Sequence, residues 1–205
     1  MRNGIRKGSR FPDYELPDQD GVARRLSELQ GDNPMVLHLS RGGFDPKEHV
    51  FVSKLVGASH EFKVAYTRVL VISPDPQLEL NEFRDGVGAE FPFLADPARK
   101  VRDDLDIVEY TDPVHDPMVP HTFVLGPALT IFRIYNGYWY WGRPTIEELH
   151  RDLREVLRET RPDFDLSAPG LREAWDAGDS EMFLVAPVQG AAIRYTEGTD
   201  VGVKR

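Results

Sequence analysis

The sequence predicts an α/β fold, a central mixed sheet flanked by helices and followed by a C-terminal extension. Three observations carry this. The apolar runs Met35-Val36-Leu37-His38-Leu39 and Val69-Leu70-Val71-Ile72-Ser73 have the length and composition of buried strands. Each is followed by a stretch with helical spacing, the alternation that builds parallel sheets. Two further strand-like runs, His121 to Leu125 and Leu129 to Tyr135, turn about Gly126-Pro127 and lead into an amphipathic helix, which adds antiparallel edges to a parallel centre.

Taken in order, residues 1–10 read as an irregular basic lead-in, and Phe11 to Gly21 as an extended piece closed by the Asp20-Gly21 turn. Leu26 to Leu29 is a single helical turn before Gly31. The first buried strand follows. From Pro46 to about Phe62, Val52, Leu55, Val56 and Ser59 are spaced for one helix face. The strand ending at Ser73 is stopped by Pro74 and Pro76, and Leu80, Phe83 and Val87 mark the next helix. Phe91 to Asp96 predicts a short strand and loop, and Ala98 to Leu105 a helix. Ile146 to Thr160 is the clearest amphipathic helix, with Leu149, Leu153, Val156 and Leu157 on one face.

Composition bounds the function. The chain has 205 residues, no cysteine and a formal net charge of -9. An acidic chain lacks the basic footprint that nonspecific nucleic-acid binding needs. No apolar run approaches the ~20 residues of a membrane span, and no apolar segment follows the basic Met1 to Lys7, so a cytoplasmic location without a membrane anchor is expected. The missing cysteines remove disulfides, iron–sulfur clusters and thiolate zinc sites.

The stretch Ser40-Arg41-Gly42-Gly43-Phe44-Asp45-Pro46-Lys47-Glu48-His49 lies between a strand and a helix. Its layout resembles the active-site turn of the peroxiredoxin-like (AhpC/TSA, redoxin) family of the thioredoxin fold, where Arg-Gly-x-aromatic-Cys-Pro places a thiolate at a helix N-terminus. Arg41, Gly42, Phe44 and Pro46 fit that pattern, with Asp45 at the cysteine position. Further segments resemble the family in order and spacing: Phe11 to Gly21, Val69 to Asp75, Phe91 to Asp96, Val119 to Leu125 and Gly142 to Leu149. The resemblance implies a thioredoxin-like domain over residues 1–160 and, since such domains often pair, a homodimer. Residues 161–205 have no counterpart and are expected to pack on the domain or on a partner subunit.

The same resemblance shows departures. Gly42 stands where the family has a hydroxyl residue, and Pro120-His121 where an arginine commonly precedes the Thr-Phe strand. A carboxylate is a poor nucleophile toward peroxide oxygen and forms no sulfenate. The expectation is therefore a pseudo-peroxidase that binds a small-molecule ligand or a partner at the vestigial pocket. Pocket residues would be Gly42, Gly43, Phe44, Pro120, Trp139 and Trp141.

Asp45 has two further readings. Asp45-Pro46-Lys47-Glu48 is a well-formed helix start: an N-cap, a proline at the first position and a glutamate at the third. Alternatively Asp45, with His49 one turn on and with Arg41 and His121 from adjoining strands, forms a catalytic group for acid–base chemistry on a small substrate. A thiol-dependent oxidoreductase represented by a Cys-to-Asp variant is a third possibility. Metal binding is not expected: Glu48 and His49 are adjacent and point apart on a helix, and no His-x-x-x-His spacing occurs. No cofactor is expected. His38, in a strand, reads as a satisfied core histidine.

Tyr138, Trp139, Tyr140 and Trp141 would alternate faces if this segment were a strand. They would then pack on the tail or a partner, or wall a substrate pocket. In the tail, Leu171 to Gly178 predicts a short helix, and residues 182–186 with 191–195 a hairpin.

Overall fold

The computed structural model of the chain describes residues 1–160 and 169–179. The chain forms two compact units, Met1–Pro162 and Asp163–Arg205, each described by itself. In the first, strands β1 (Glu15–Pro17) and β2 (Ala23–Arg25) form an antiparallel pair leading into helix α1 (Leu26–Gln30). Strand β3 (Met35–Leu39) follows, then helices α2 (Pro46–Gly57) and α3 (Ser59–Val64). Next come β4 (Arg68–Ser73), α4 (Gln77–Gly86), β5 (Phe93–Ala95) and α5 (Lys100–Leu105). The hairpin β6 (His121–Gly126) and β7 (Thr130–Asn136) precedes α6 (Ile146–Thr160). Among the described residues, the second unit contains α7 (Leu171–Ala177), within the helix expected there. The expected hairpin at 182–195 lies outside the described residues.

The main sheet has the order β5-β4-β3-β6-β7. β3 pairs parallel with β4 and antiparallel with β6, so the sheet is mixed as expected. β3 is central, and all five of its residues are buried because both sheet faces are covered. The period of two sorts its side chains. Val36 packs with Phe51, Leu55 and Leu80, while Met35, Leu37 and Leu39 pack with Phe11, Leu26 and Phe123. Burying a core of this kind stabilises at ~25 cal/mol per Å² of apolar surface. It also leaves the C-terminal end of β3 rigidly placed.

Two expected elements differ. The helix from Pro46 to Phe62 is broken at Ala58 (φ -93°, ψ 0°), directly after Gly57, a residue that weakens helix interiors. The aromatic run 138–141 is not a strand. β7 stops at Asn136, the Gly137 N–H donates to the Pro120 carbonyl, and Tyr140–Gly142 closes a 3-10 turn. A side chain at Gly142 would collide with the Asn136 carbonyl, so the glycine permits the fold-back that ends the alternation.

Candidate functional site at the start of the second helix

The turn from β3 into α2 is built by local chemistry. Ser40 is the last residue tied to the sheet, its N–H donating to the Ile72 carbonyl. Gly42 takes φ 130°, a conformation L side chains rarely adopt, and a Cβ there would strike the Phe44 ring. The Gly43 N–H donates to Asp75 Oδ2 at 2.7 Å, and the Ser73 hydroxyl donates to the same oxygen at 2.6 Å. Asp75 therefore fixes the turn from the end of β4.

Asp45 caps α2. Its Oδ1 accepts the Lys47 N–H at 2.9 Å, and Pro46 follows at the first helical position. Its Oδ2 accepts from Arg41 Nη1 at 3.4 Å, with Lys47 Nζ 3.7 Å away. The residue is only 3% exposed, so both oxygens are engaged and little of the carboxylate meets solvent.

Arg41 is shared among several acids. Its Nε donates to Glu109 Oε2 at 2.6 Å, and its Nη2 to Glu109 Oε1 at 3.0 Å and Asp112 Oδ2 at 2.9 Å. The Glu109 hydrogen bond and the surrounding carboxylates hold the guanidinium pKa above its usual value. Burial would raise the Glu109 carboxyl, but Arg41 and the Thr111 hydroxyl outweigh it and lower the pKa. The Asp112 carboxylate is held down to about 2, first by the His115 backbone N–H. The Phe44 ring lies 5.0 Å below the Arg41 guanidinium and stacks on the His115 ring at 3.7 Å.

The remaining expected site residues are placed less directly. The His49 Nε2–H donates to the Gly43 carbonyl at 2.7 Å, and the ring leans on Phe83 rather than reaching the Asp45 carboxylate. His121 pairs with Leu39 across β3 and β6, and its Nδ1–H donates to the Val119 carbonyl at 2.8 Å. Burial pushes its pKa down to about 4, so it is neutral near pH 7. Pro120 contributes the carbonyl that anchors Gly137. Trp139 and Trp141 are 67% and 83% exposed, on the outside of the 3-10 turn.

Glu48 holds the expected third position of the helix, but its side chain does not turn back to the cap. It faces the core, where its Oε2 bonds His38 Nε2 at 2.6 Å and its Oε1 bonds Arg143 Nη2. His38 also bonds the Thr122 hydroxyl, making it the satisfied core histidine expected from sequence. Arg143 Nη1 donates to the Gly137 carbonyl at 2.9 Å, while its buried Nε has no hydrogen-bond partner. Burial would raise the Glu48 pKa, but His38 and Arg143 outweigh it and hold it at about 2. The residues that sequence reasoning missed are Asp75, Glu109, Asp112 and Arg143. The one signal for the last was Arg143 beside Gly142, in a segment the sequence reading used only for family resemblance.

Chemically, the turn presents a saturated ion-pair cluster. A shallow depression of about 420 Å³ lies on the outer side of α2, lined by His49, Val50, Ser53 and Lys54. Asp45 is not among its lining residues.

Comparison with known proteins agrees with the fold. A Mycobacterium tuberculosis protein named as a peroxiredoxin is 34% identical over 97 residues, covering 46% of this chain and 59% of the relative. Peroxiredoxin Q, chloroplastic, of Oryza sativa subsp. japonica is 32% identical over 98 residues, covering 48% and 45%. The chain thus spans well under two thirds of the length of these relatives. Among solved structures, peroxidoxin BcpB from Mycobacterium tuberculosis superposes with a TM-score of 0.63 at 24% identity, covering 76% of this chain and 97% of that one. A cysteine mutant of peroxiredoxin 6 from Arenicola marina gives a TM-score of 0.68 at 18% identity, covering 77% and 76%. The profile described as the AhpC/TSA family matches residues 7–134, more than half of the sequence, and the chain belongs to that family.

Proposed function

We propose that this protein is a cysteine-free, non-peroxidatic member of the AhpC/TSA family that acts by binding a small molecule or a partner at the turn from β3 into α2. In this reading Asp45 stands where the family carries its reactive cysteine. A protein with no cysteine cannot reduce peroxide through a thiolate and sulfenate. The observation that carries the rest of the reading is the engagement of Asp45: one oxygen caps α2 and the other faces Arg41, at 3% exposure. A carboxylate with both oxygens engaged and so little exposure is blocked from substrate, which supports a structural and binding role over proton transfer.

The acid–base alternative needs an accessible carboxylate with a histidine in reach. His49 is turned to the Gly43 carbonyl and His121 to the Val119 carbonyl, which weighs against it. The variant reading, a thiol enzyme with its cysteine replaced, is opposed by Gly42 and by Pro120-His121.

Three substitutions test the proposal. Asparagine caps a helix about as well as aspartate but cannot serve as a base. Asp45→Asn is expected to keep both stability and any ligand-induced thermal shift. Asp45→Ala is expected to lose about 0.5–2 kcal/mol of stability. Asp45→Cys is expected to show no thiol-dependent peroxide consumption. If Asp45→Asn keeps the fold yet abolishes turnover of a small substrate, the carboxylate is catalytic and the binding reading fails. Peroxidase activity in Asp45→Cys would restore the thiol reading.

A further inference from the structure

We propose that residues Glu109 to His115 form a releasable strap over the Arg41–Asp45 turn, whose own carboxylates occupy the guanidinium that an incoming oxyanion would bind. The inference rests on the reading of that turn as a binding site and adds how the site is controlled.

The strap is an irregular loop closed at its base by the isolated bridge between Val108 and Met118. Its C-terminal foot is fixed to α5. Arg99 Nε and Arg102 Nη1 both donate to the Asp116 carbonyl at 2.9 Å, and both guanidiniums pair with the Asp116 carboxylate. Over the turn, Glu109 and Asp112 tie it to Arg41 and the His115 ring ties it to Phe44, while the His115 carbonyl accepts from Arg99 Nη2 at 3.1 Å. Tyr110 and Val114 are 85% and 83% exposed, so little apolar burial adds to these ties.

The ties are unequal. Glu109 grips Arg41 through two oxygens and is also bonded by the Thr111 hydroxyl, with its side chain 7% exposed. Asp112 makes one contact to Arg41 and is 17% exposed. Two cations, Arg41 and Lys47, face three carboxylates, Asp45, Glu109 and Asp112, so negative charge is still in excess. A competing oxyanion that takes the outer edge of Arg41 displaces Asp112 first. His115, bonded to Asp112 through Nδ1 at 2.9 Å, then leaves the Phe44 face. Phe44, already 37% exposed, becomes available together with the Arg41 edge.

The test is amide hydrogen exchange on the full chain, followed peptide by peptide. Asp112→Asn removes the charge facing Arg41 while its side-chain oxygen still accepts the Val114 and His115 N–H groups, so the local turn survives. Strap amides are expected to exchange roughly tenfold faster in this variant, the size of one lost charge-assisted hydrogen bond, with β3, β4 and β6 unchanged. In wild type, inorganic phosphate is expected to accelerate the strap more than chloride at equal ionic strength, and to add little in Asp112→Asn. His115→Ala supplies an independent release of the same segment. Wild-type exchange rates in both variants would overturn the strap, and equal effects of phosphate and chloride would overturn its release by an oxyanion. These readouts need no partner, so they stand or fall separately from the ligand-binding result at Asp45.

Discussion

Two charged clusters flank the first turn of α2, and they are held differently. On the inner side Glu48, His38 and Arg143 are sealed in the core, with Glu48 and His38 at 0% exposure. On the outer side Arg41 is shared by Asp45, Glu109 and Asp112 at the rim. In the inner cluster the charges have lost their water and depend on one another. Removing one leaves another buried without compensation. In the outer cluster Asp45 and Glu109 are also buried, but Asp112, 17% exposed, is a partner that solvent can replace. The inner cluster ties α2 to the sheet and to the Gly137–Arg143 turn, whereas the outer one holds its most exposed acid, Asp112, to Arg41 by a single contact.

The comparison is broken most directly by Glu48→Gln. It leaves Arg143 buried without its anion, with Nε already unpartnered. Urea unfolding is expected to show a loss of about 3–5 kcal/mol. A loss comparable to that of a surface charge would mean that water reaches the inner cluster, and the contrast between the two sides would disappear.

Acid separates the contributions next. The pKa of His121 is about 4 in the folded chain against 6.5 ordinarily. Between these values the unfolded chain binds a proton that the folded chain refuses. Stability therefore falls as pH drops from 6.5 toward 4, by up to about 3 kcal/mol. Glu48 acts lower. Its folded pKa of about 2 lies below the ordinary 4.5, so its stabilisation is complete above 4.5 and is lost as pH falls toward 2. Unfolding measured across this range in His121→Gln should flatten the upper window alone. An unchanged slope in that variant would remove His121 as the cause.

How much of this was readable in the sequence depends on distance along the chain. The Asp45 cap and the apolar strands were legible because they are local patterns: Asp-Pro at a helix start, and short apolar runs between turn residues. The inner cluster was hidden. Glu48 at the third helical position mimics a capping glutamate, and its partner Arg143 lies 95 residues away. Arg41 was legible as a site residue, but its partners lie 68 and 71 residues on, in a loop with no periodicity to place it. The aromatic run misled for the opposite reason. Alternating tyrosine and tryptophan look like a strand, but Gly137 and Gly142 turn the backbone where the alternation would need it straight.

That run gives the smallest expected effect and the sharpest test of pairing between copies. Trp141 is 83% exposed in the single chain, and its neighbour Tyr140 is tied to α2 by the Lys54 ammonium at 2.8 Å. A side chain so exposed contributes little to the fold by itself, so Trp141→Ser should change stability by less than about 0.5 kcal/mol. That expectation holds for an isolated chain at any concentration. Where two copies meet over this surface, the same substitution removes apolar area buried between them, and its cost grows with protein concentration because association and folding are linked. Thermal unfolding of wild type and Trp141→Ser over a wide concentration range, with sedimentation to fix the assembly state, distinguishes the two. A concentration-independent null result confines the aromatic turn to the surface of a monomer. A wild-type melting temperature that rises with concentration, and a variant that does not follow it, places the turn in a subunit contact beside α2 and within one helix of both charged clusters.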